Sequence, residues 1–277
     1  MEKMKVLIPT DFSVQPEYAY ILVNKLSQKT PIDIHFVHVL NFPESVVLES
    51  NGNISTCGEI DMNYVESQRD IAARKLSMLN NLYGPEVQTH LLSGKINQTI
   101  IQFAEKNQFD LIAMGTKGAW GLKEKISGTE TQFIARKSTV PVLSLMCDRS
   151  NLELNNLLLV HQFEETQQQD LHLLKKLIAA FQPKIHLLQV AKSKTESNEK
   201  IIHNMEIFAK NNAIQDFETH VIQDQDVERG VIHFNQMNNM DLVCIGTHGR
   251  GGSIFHSSAT EKLINHMFKP IISFHLK

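Results

Sequence analysis

The sequence predicts two tandem doubly wound (Rossmann-like) α/β domains, each a five-stranded, parallel-type sheet with helices on both faces. The first observation is an internal repeat. VLIPTDF at residues 6–12 matches LLLVHQF at residues 157–163, and IHFVHV at residues 34–39 matches IHLLQV at residues 185–190, both at an offset of 151. The second observation is that short β-branched runs alternate with helical patterns, which favours a parallel sheet with right-handed crossovers.

The repeat also indicates where the copies divide. Later segments match at offsets of 130 and 131, so the second copy lacks about twenty residues between its second and third strands. There the first copy carries residues 41–61, which are rich in Asn, Ser, Glu and Gly and predict a long loop. The copies join at about residues 147–155, which gives predicted domains of residues 1–148 and 151–277.

Apolar spacing predicts the elements of the first copy in order. The strands are MKVLIP, IDIHFVHV, EVQTHLL, FDLIAMG and VPVLSLM. A first helix is predicted behind Ser13, which has the residue type of an N-cap. The apolar positions that mark the three helices are Tyr18, Ile21, Leu22 and Leu26, then Ile71, Leu76 and Leu79, and then Ile96, Ile100, Phe103 and Ala104.

Composition argues against several classes of function. With 42% hydrophobic and 21% charged residues in a chain of 277, each half has enough apolar residues for a core. The formal net charge of -3, without a basic stripe, gives nucleic acid and anionic membranes no electrostatic attraction. Cys57, Cys147 and Cys244 are scattered, as expected of reduced thiols. No 18-residue apolar run occurs, so a soluble, cytoplasmic protein is expected.

A glycine-rich loop follows the fourth predicted strand of each copy. It reads MGTKGAWGLKEKISGTE at residues 114–130 and IGTHGRGGSIFHSSATE at residues 245–261. Glycines let backbone N–H groups approach an anion, and the N-terminus of the next helix adds partial positive charge. Ligands of open α/β sheets bind beyond the carboxyl ends of the strands, where the strand order reverses. Since Asp11 ends the first strand, its carboxylate and the loop are expected to face one crevice.

At these residues the chain resembles the universal stress protein family, and the resemblance covers nearly all of both halves. The nucleotide-binding members carry Gly-x2-Gly-x9-Gly-(Ser/Thr), and the residues from Gly115 to Thr129 fit that spacing. PTDFS at residues 9–13 is similar to the pattern that ends the family's first strand, and His38-Val39 to the end of its second. The resemblance implies that Asp11 holds the ribose of ATP, that Val39 contacts adenine, and that the loop lines the phosphates, with Mg²⁺ as an accompanying ion. The predicted nucleotide-binding residues are Pro9, Thr10, Asp11, Val39, Met114, Gly115, Gly118, Gly128 and Thr129.

The resemblance also implies a strand order of 3-2-1-4-5 in each copy, with the last strand at a sheet edge. These last strands are the apolar segments PVLSLM and PIISFHL. Because an exposed edge needs pairing or cover, the two copies are expected to pack through them as an internal pseudo-two-fold dimer. Whether the whole chain dimerises again is left open.

The second copy departs from the nucleotide-binding pattern. His161-Gln162 replaces Thr10-Asp11, so the carboxylate is missing, and Ala259 replaces Gly128, which adds a methyl group where backbone and phosphate should meet. The second site is therefore expected to be weak or empty. Its remaining residues are Val190, Gly246, Gly249 and Thr260.

Structural interpretations of the same residues remain open. Asp11 is also the residue type of a turn or helix start, and Thr129 that of an N-cap. Trp120 stands where the second copy has Gly251, and it either covers the phosphates or fills the crevice.

No metal site is predicted, although the chain has 13 histidines. His35 and His38 are an odd number apart on a strand and point to opposite faces. His248, His256 and His266 lack a partner at ligand spacing.

Three functional hypotheses follow. The first is an ATP-binding stress-response protein of regulatory function, with ATP mainly in the N-terminal copy, an unknown protein partner and residues 41–61 as a flap over the site. The alternative is a tandem interaction scaffold with both crevices empty. The third is a slow ATPase, although no nucleophile pairs with a general base at the crevice and neither the P-loop nor the dinucleotide glycine motif occurs.

Overall fold

The computed structural model describes residues 3–43, 45–49, 53–57, 60–117, 130–163, 171–191, 197–248 and 254–276. The N-terminal half contains β1 Met4–Pro9, α1 Gln15–Ser27, β2 Ile32–Leu40, β3 Val46–Leu48, β4 Ile54–Thr56, α2 Met62–Tyr83, β5 Gln88–Ser93, α3 Ile96–Lys106, β6 Leu111–Gly115, α4 Glu130–Lys137 and β7 Val142–Leu145. The C-terminal half contains β8 Asn156–Val160, α5 His172–Phe181, β9 Lys184–Ala191, α6 Asn198–Asn211, β10 Phe217–Gln223, α7 Val227–Asn238, β11 Leu242–His248, α8 Ile254–His266 and β12 Ile271–Leu276.

Ten of the strands form one sheet in the order β10-β9-β8-β11-β12-β7-β6-β1-β2-β5. All neighbours within a half are parallel, and each half has the predicted order 3-2-1-4-5. The strand order reverses between β1 and β6 in the N-terminal half and between β8 and β11 in the C-terminal half. These positions are the switch points at which such folds bind ligands.

The two halves meet where β7 pairs antiparallel with β12, with Leu143 opposite Ile272. Two buried serines repeat one contact across this junction: the Oγ of Ser144 donates to the carbonyl of Ile271, and the Oγ of Ser273 donates to that of Val142, both at 3.4 Å. This pairing confirms the internal pseudo-two-fold packing expected from the apolar last strands.

Helices cover both faces of the sheet. On one face a single apolar cluster extends through both halves and includes Leu22 of α1, Leu143 of β7 and Leu177 of α5. On the other face each half has its own cluster, built on α3 and α4 around Ile100 and on α7 and α8 around Val231. Continuous burial of both faces explains why the strands read as β-branched runs without polar alternation.

Three expectations about local structure need correction. Helix α1 begins at Gln15 behind Val14, which makes no side-chain cap, so Ser13 is not its N-cap. Residues 41–61 are not only a loop, because β3 and β4 form an antiparallel hairpin there. Ile71 is 39% exposed, so it does not mark the packed face of α2. Within the described residues no helix has the length and apolarity to cross a membrane.

Candidate functional site

The crevice beyond the carboxyl ends of β1, β2 and β6 contains a cavity of about 350 Å³. This volume lies within the range typical of small-molecule sites. Its walls come from the β1–α1 turn, β2, α3, β6 and the start of α4. The lining residues are Pro9, Thr10, Asp11, Ser13, Gln15, Pro16, Val37, His38, Val39, Ile96, Ile100, Met114, Gly115, Thr116, Lys117, Glu130 and Thr131.

The structure brings together all of the predicted N-terminal site residues that it describes. Pro9, Thr10 and Asp11 line the cavity from the end of β1, Val39 from β2, and Met114 and Gly115 from β6. Parallel strands end at one edge of the sheet, so residues about a hundred positions apart in the sequence line the same wall of the cavity. The other predicted residues of this site, Gly118, Gly128 and Thr129, lie outside the described residues, as does Trp120.

Asp11 is held in a turn and does not cap α1. Its Oδ1 accepts a hydrogen bond from the backbone N–H of Ser13 at 2.9 Å and another from the Ser13 hydroxyl. Burial acts to raise the pKa of Asp11, but the hydrogen bonds from Ser13 and the charge of Lys117 lower it, and the net pKa lies below the usual value. Asp11 is therefore an exposed, ionised acceptor at the cavity mouth at neutral pH.

The turn that carries Asp11 is fixed by its neighbours. The Oγ1 of Thr10 accepts from the backbone N–H of Phe12 at 3.0 Å, and Phe12 has a φ of 63°. The carbonyl of Thr10 lies 2.7 Å from Nδ1 of His38, which ties the end of β1 to the end of β2. This network directs the Asp11 side chain toward the crevice without a helix cap.

Gly115 has a packing role that is independent of any ligand. A Cβ at this position would lie 2.0 Å from the carbonyl oxygen of Gln15, the first residue of α1. Only glycine allows the helix start to approach β6 this closely. The fold therefore explains part of the glycine pattern at residue 115. Lys117 and Thr131 contribute polar groups to this end of the cavity.

The C-terminal half repeats the turn without the carboxylate. Nδ1 of His161 accepts from the backbone N–H of Phe163 at 2.9 Å, and Phe163 has a φ of 52°. Gln162 stands in the place of Asp11. Val190 packs against α7, where a Cβ on Gly230 would lie 2.6 Å from its Cγ1.

The remaining residues of the predicted second site are only partly described. Gly246, Ala259 and Thr260 are buried, and Gly249 lies outside the described residues. The weak second site stays a prediction.

The family model described as the universal stress protein family matches residues 3–145. The chain belongs to the universal stress protein family. It is 28% identical over 140 residues to Universal stress protein MJ0531 of Methanocaldococcus jannaschii, covering 50% of this chain and 79% of that protein. It is 27% identical over 149 residues to Universal stress protein MJ0577 of the same organism, covering 50% and 92%.

Solved structures of this family extend the likeness to the whole chain. A universal stress protein from Archaeoglobus fulgidus superposes with a TM-score of 0.72 at 17% identity, covering 98% of this chain and 96% of that chain. A protein from Pseudomonas aeruginosa, described as a putative universal stress protein, gives a TM-score of 0.60 at 13% identity, covering 99% and 94%. At these identities the likeness shows the shared fold alone.

Sequence reasoning missed two groups of residues. Lys117 and Thr131 line the cavity, and Lys117 was signalled only by its position inside the glycine-rich segment. His186, Glu218 and His220 form a group whose ligand atoms lie within 4.8 Å of one another. Both histidines recur in the other copy at the repeat offsets of 151 and 130, as His35 and His90, and this recurrence was a readable signal.

Proposed function

We propose that this protein binds ATP, with Mg²⁺, in the N-terminal cavity and acts in the stress response by changing its conformation or its partners with nucleotide occupancy. The observation that carries the proposal is that three kinds of wall meet in one cavity. An ionised carboxylate, Asp11, lies at the mouth. Val39 and Ile100 form an apolar wall, and Lys117, Glu130 and Thr131 form a polar one.

Each wall suits one part of the nucleotide. Ribose hydroxyls donate hydrogen bonds, and a carboxylate that is already ionised is a strong acceptor for them. An adenine ring favours apolar contact with Val39. The Lys117 ammonium favours phosphate because it carries a positive charge.

Calorimetric titration with ATP and magnesium tests the assignment. Asp11→Ala is expected to lower ATP affinity by about 10–100-fold, because it removes a hydrogen bond to a charged group. Gln162→Ala, at the equivalent place in the C-terminal half, is the matched control and should bind ATP as the parent does. Ser13→Ala removes the hydroxyl bond to Asp11 but keeps the carboxylate and the backbone bond of the turn, so it separates loss of that hydrogen bond from loss of the acceptor. Unchanged affinity in Asp11→Ala would refute the assignment.

The role of Gly115 in packing favours a second candidate function. The close packing of α1 requires Gly115 whether or not a ligand binds. The glycine and the family membership are therefore also compatible with an interaction scaffold whose crevices stay empty. Mass spectrometry of small molecules that co-purify with the protein distinguishes the two. An adenine nucleotide supports the ATP proposal. Its absence, together with no thermal shift on adding ATP and magnesium, supports the scaffold.

Turnover is the third candidate and has its own test. A slow ATPase requires ADP production above that of the Asp11→Ala variant. ATP binding with no such excess supports a regulatory module.

A further inference from the structure

A cluster of three side chains lies on β9 and β10, near the amino ends of the strands and away from the nucleotide crevice. Glu218 of β10 is directly opposite His186 of β9 in the parallel register. His220 is two residues beyond Glu218, so it projects from the same face of the sheet. Strand pairing alone therefore places two imidazoles and one carboxylate side by side.

The distances between their polar atoms match a tetrahedral metal site. Nδ1 of His186 lies 3.1 Å from Nε2 of His220 and 3.5 Å from Oε2 of Glu218, and the last two atoms are 3.7 Å apart. With zinc–ligand bonds of about 2.0–2.1 Å, two ligands of a tetrahedral ion lie about 3.3 Å apart. The three atoms already stand at about the edge lengths that zinc requires.

The outer partners of these groups hold the ligand atoms in place. Oδ1 of Asn156 lies 3.4 Å from Nε2 of His186, and as an acceptor it favours the tautomer with the proton on Nε2 and the lone pair of Nδ1 directed at the cluster. Nζ of Lys184 lies 2.6 Å from Oε1 of Glu218, so Oε2 is the oxygen that remains for the cluster. Metal-binding histidines and carboxylates are typically oriented by such second contacts.

The cluster is covered on one side and open on another. The Phe234 ring, 4.7 Å from that of His220, covers one side, while the half-exposed Glu218 side chain on the edge strand β10 leaves access for an ion.

The N-terminal half contains the same histidine pair without the third ligand. Nδ1 of His35 lies 2.9 Å from Nε2 of His90, at the positions equivalent to His186 and His220. Gln88 occupies the place of Glu218, directly opposite His35 in the register. Its amide nitrogen lies 3.4 Å from a carboxylate oxygen of Asp33. A single difference, Gln88 in one half and Glu218 in the other, therefore gives the C-terminal cluster its carboxylate.

We propose that His186, Glu218 and His220 bind a divalent transition-metal ion, Zn²⁺ by preference, with a water molecule in the fourth position. Two imidazoles and a carboxylate are a zinc ligand set, and a fourth, open position follows from the exposed side of the cluster. The site is independent of the nucleotide proposal, because no residue of the N-terminal cavity takes part.

Titration of the chelator-treated full-length chain with zinc chloride, against a chromophoric competitor, tests the proposal. The parent is expected to bind one equivalent of zinc with no comparable affinity for Mg²⁺. Glu218→Gln recreates the N-terminal pattern at a half-exposed position, and the affinity should fall by at least about tenfold. Gln88→Glu is the reciprocal change and should add a second equivalent. Substitution of Co²⁺ for zinc should give the visible absorption of a tetrahedral ion in the parent and lose it in Glu218→Gln.

Control variants separate this site from adventitious binding by surface histidines. His233 pairs with Asp224 at 2.7 Å on the surface, and His233→Ala should bind zinc as the parent does. Melting curves in chelator establish that each variant folds. Equal zinc affinity in the parent and in Glu218→Gln, or equal loss in His233→Ala and Glu218→Gln, overturns the proposal, as does a parent that binds no zinc.

Discussion

The two halves share one topology but carry their carboxylates at opposite ends of the sheet. At the carboxyl ends of the strands, the N-terminal half has Asp11 where the C-terminal half has Gln162. Near the amino ends, the C-terminal half has Glu218 where the N-terminal half has Gln88. Each half has a carboxylate where the other has an amide. A duplicated apolar core can thus keep one fold while the polar side chains at the strand ends diverge.

The largest expected difference between the halves concerns their tightest glycines. Gly115→Ala should lower the free energy of unfolding by about 3 kcal/mol, since the new Cβ meets the backbone of Gln15. Gly230→Ala should cost less, because its Cβ meets only side-chain atoms, those of Val190 and Ile222, and alanine favours the helix by about 1 kcal/mol. Urea denaturation measures both. Equal losses would show that the close approach of α1 to β6 is not special to the N-terminal half.

The next comparison concerns the valines that end the second strand of each copy. Val39→Phe should lower ATP affinity by at least about tenfold, because the ring takes up space in the cavity that Val39 lines. Val190→Phe is the matched change in the C-terminal half and should leave ATP affinity at the parent value. Calorimetry on both variants measures the difference. If Val190→Phe lowers the affinity as much as Val39→Phe, the N-terminal assignment is wrong.

A smaller effect is expected when the histidine pairs titrate. Burial lowers the pKa of His90, His186 and His220 below the usual 6.5. As the pH falls from 6.5 toward the lower folded values, the unfolded chain takes up protons first, so stability falls by at most about 1.4 kcal/mol per pH unit for each such group. Above pH 6.5 the groups are neutral in both states and the dependence vanishes.

The halves should differ in this pH dependence, because Glu218 contacts both imidazoles of its pair, whereas the Asp33 carboxylate in the other half contacts His35. The charge of Glu218 acts to raise the pKa of His186 and His220, so Glu218→Gln should deepen the loss of stability below pH 6.5. Denaturation in chelator between pH 7 and 5.5 measures this. A parent and a variant with the same pH profile would contradict the contact between Glu218 and the imidazoles.

The smallest effect tests the symmetry of the junction. Ser144→Ala and Ser273→Ala each remove one long hydrogen bond at the β7–β12 pairing, so each should change the free energy of unfolding by less than about 1 kcal/mol, and by similar amounts. Clearly unequal changes in the free energy of unfolding, measured by urea denaturation, would mean that the two serine contacts contribute unequally despite the pseudo-two-fold relation.

Much of the fold could be predicted because the apolar pattern is repeated. Both copies bury strands on two faces, so β-branched runs identify the strands, and the family resemblance supplies their order. The β3–β4 hairpin was missed because its strands are three residues long and lie in polar sequence. The start of α1 was missed because Asp11 binds Ser13 in a turn, which uses the polar residues that the pattern assigned to a helix cap.

The sequence predicts mainly those residues of the candidate site that lie at the ends of strands. Asp11 and the glycine-rich segment that begins at Met114 follow from the rule that ligands bind at the carboxyl ends of strands. Val39 follows from the family resemblance, and the cavity brings these residues together. The packing role of Gly115 depends on the path of α1, which no spacing rule contains. Spacing along one strand does not reveal the histidine–glutamate cluster, because its members meet across β9 and β10.

The junction between β7 and β12 has a consequence for biosynthesis. β7 is complete at Leu145, but its partner begins only at Ile271, more than a hundred residues later in the chain. At about 5–20 residues per second, the ribosome needs roughly ten seconds to make the intervening chain, and for that time β7 offers unpaired N–H and C=O groups. Neighbouring nascent chains on one messenger can then join β7 to β7, in place of the intramolecular partner that is not yet synthesised. Slow or crowded translation is therefore expected to trap exchanged dimers of this protein.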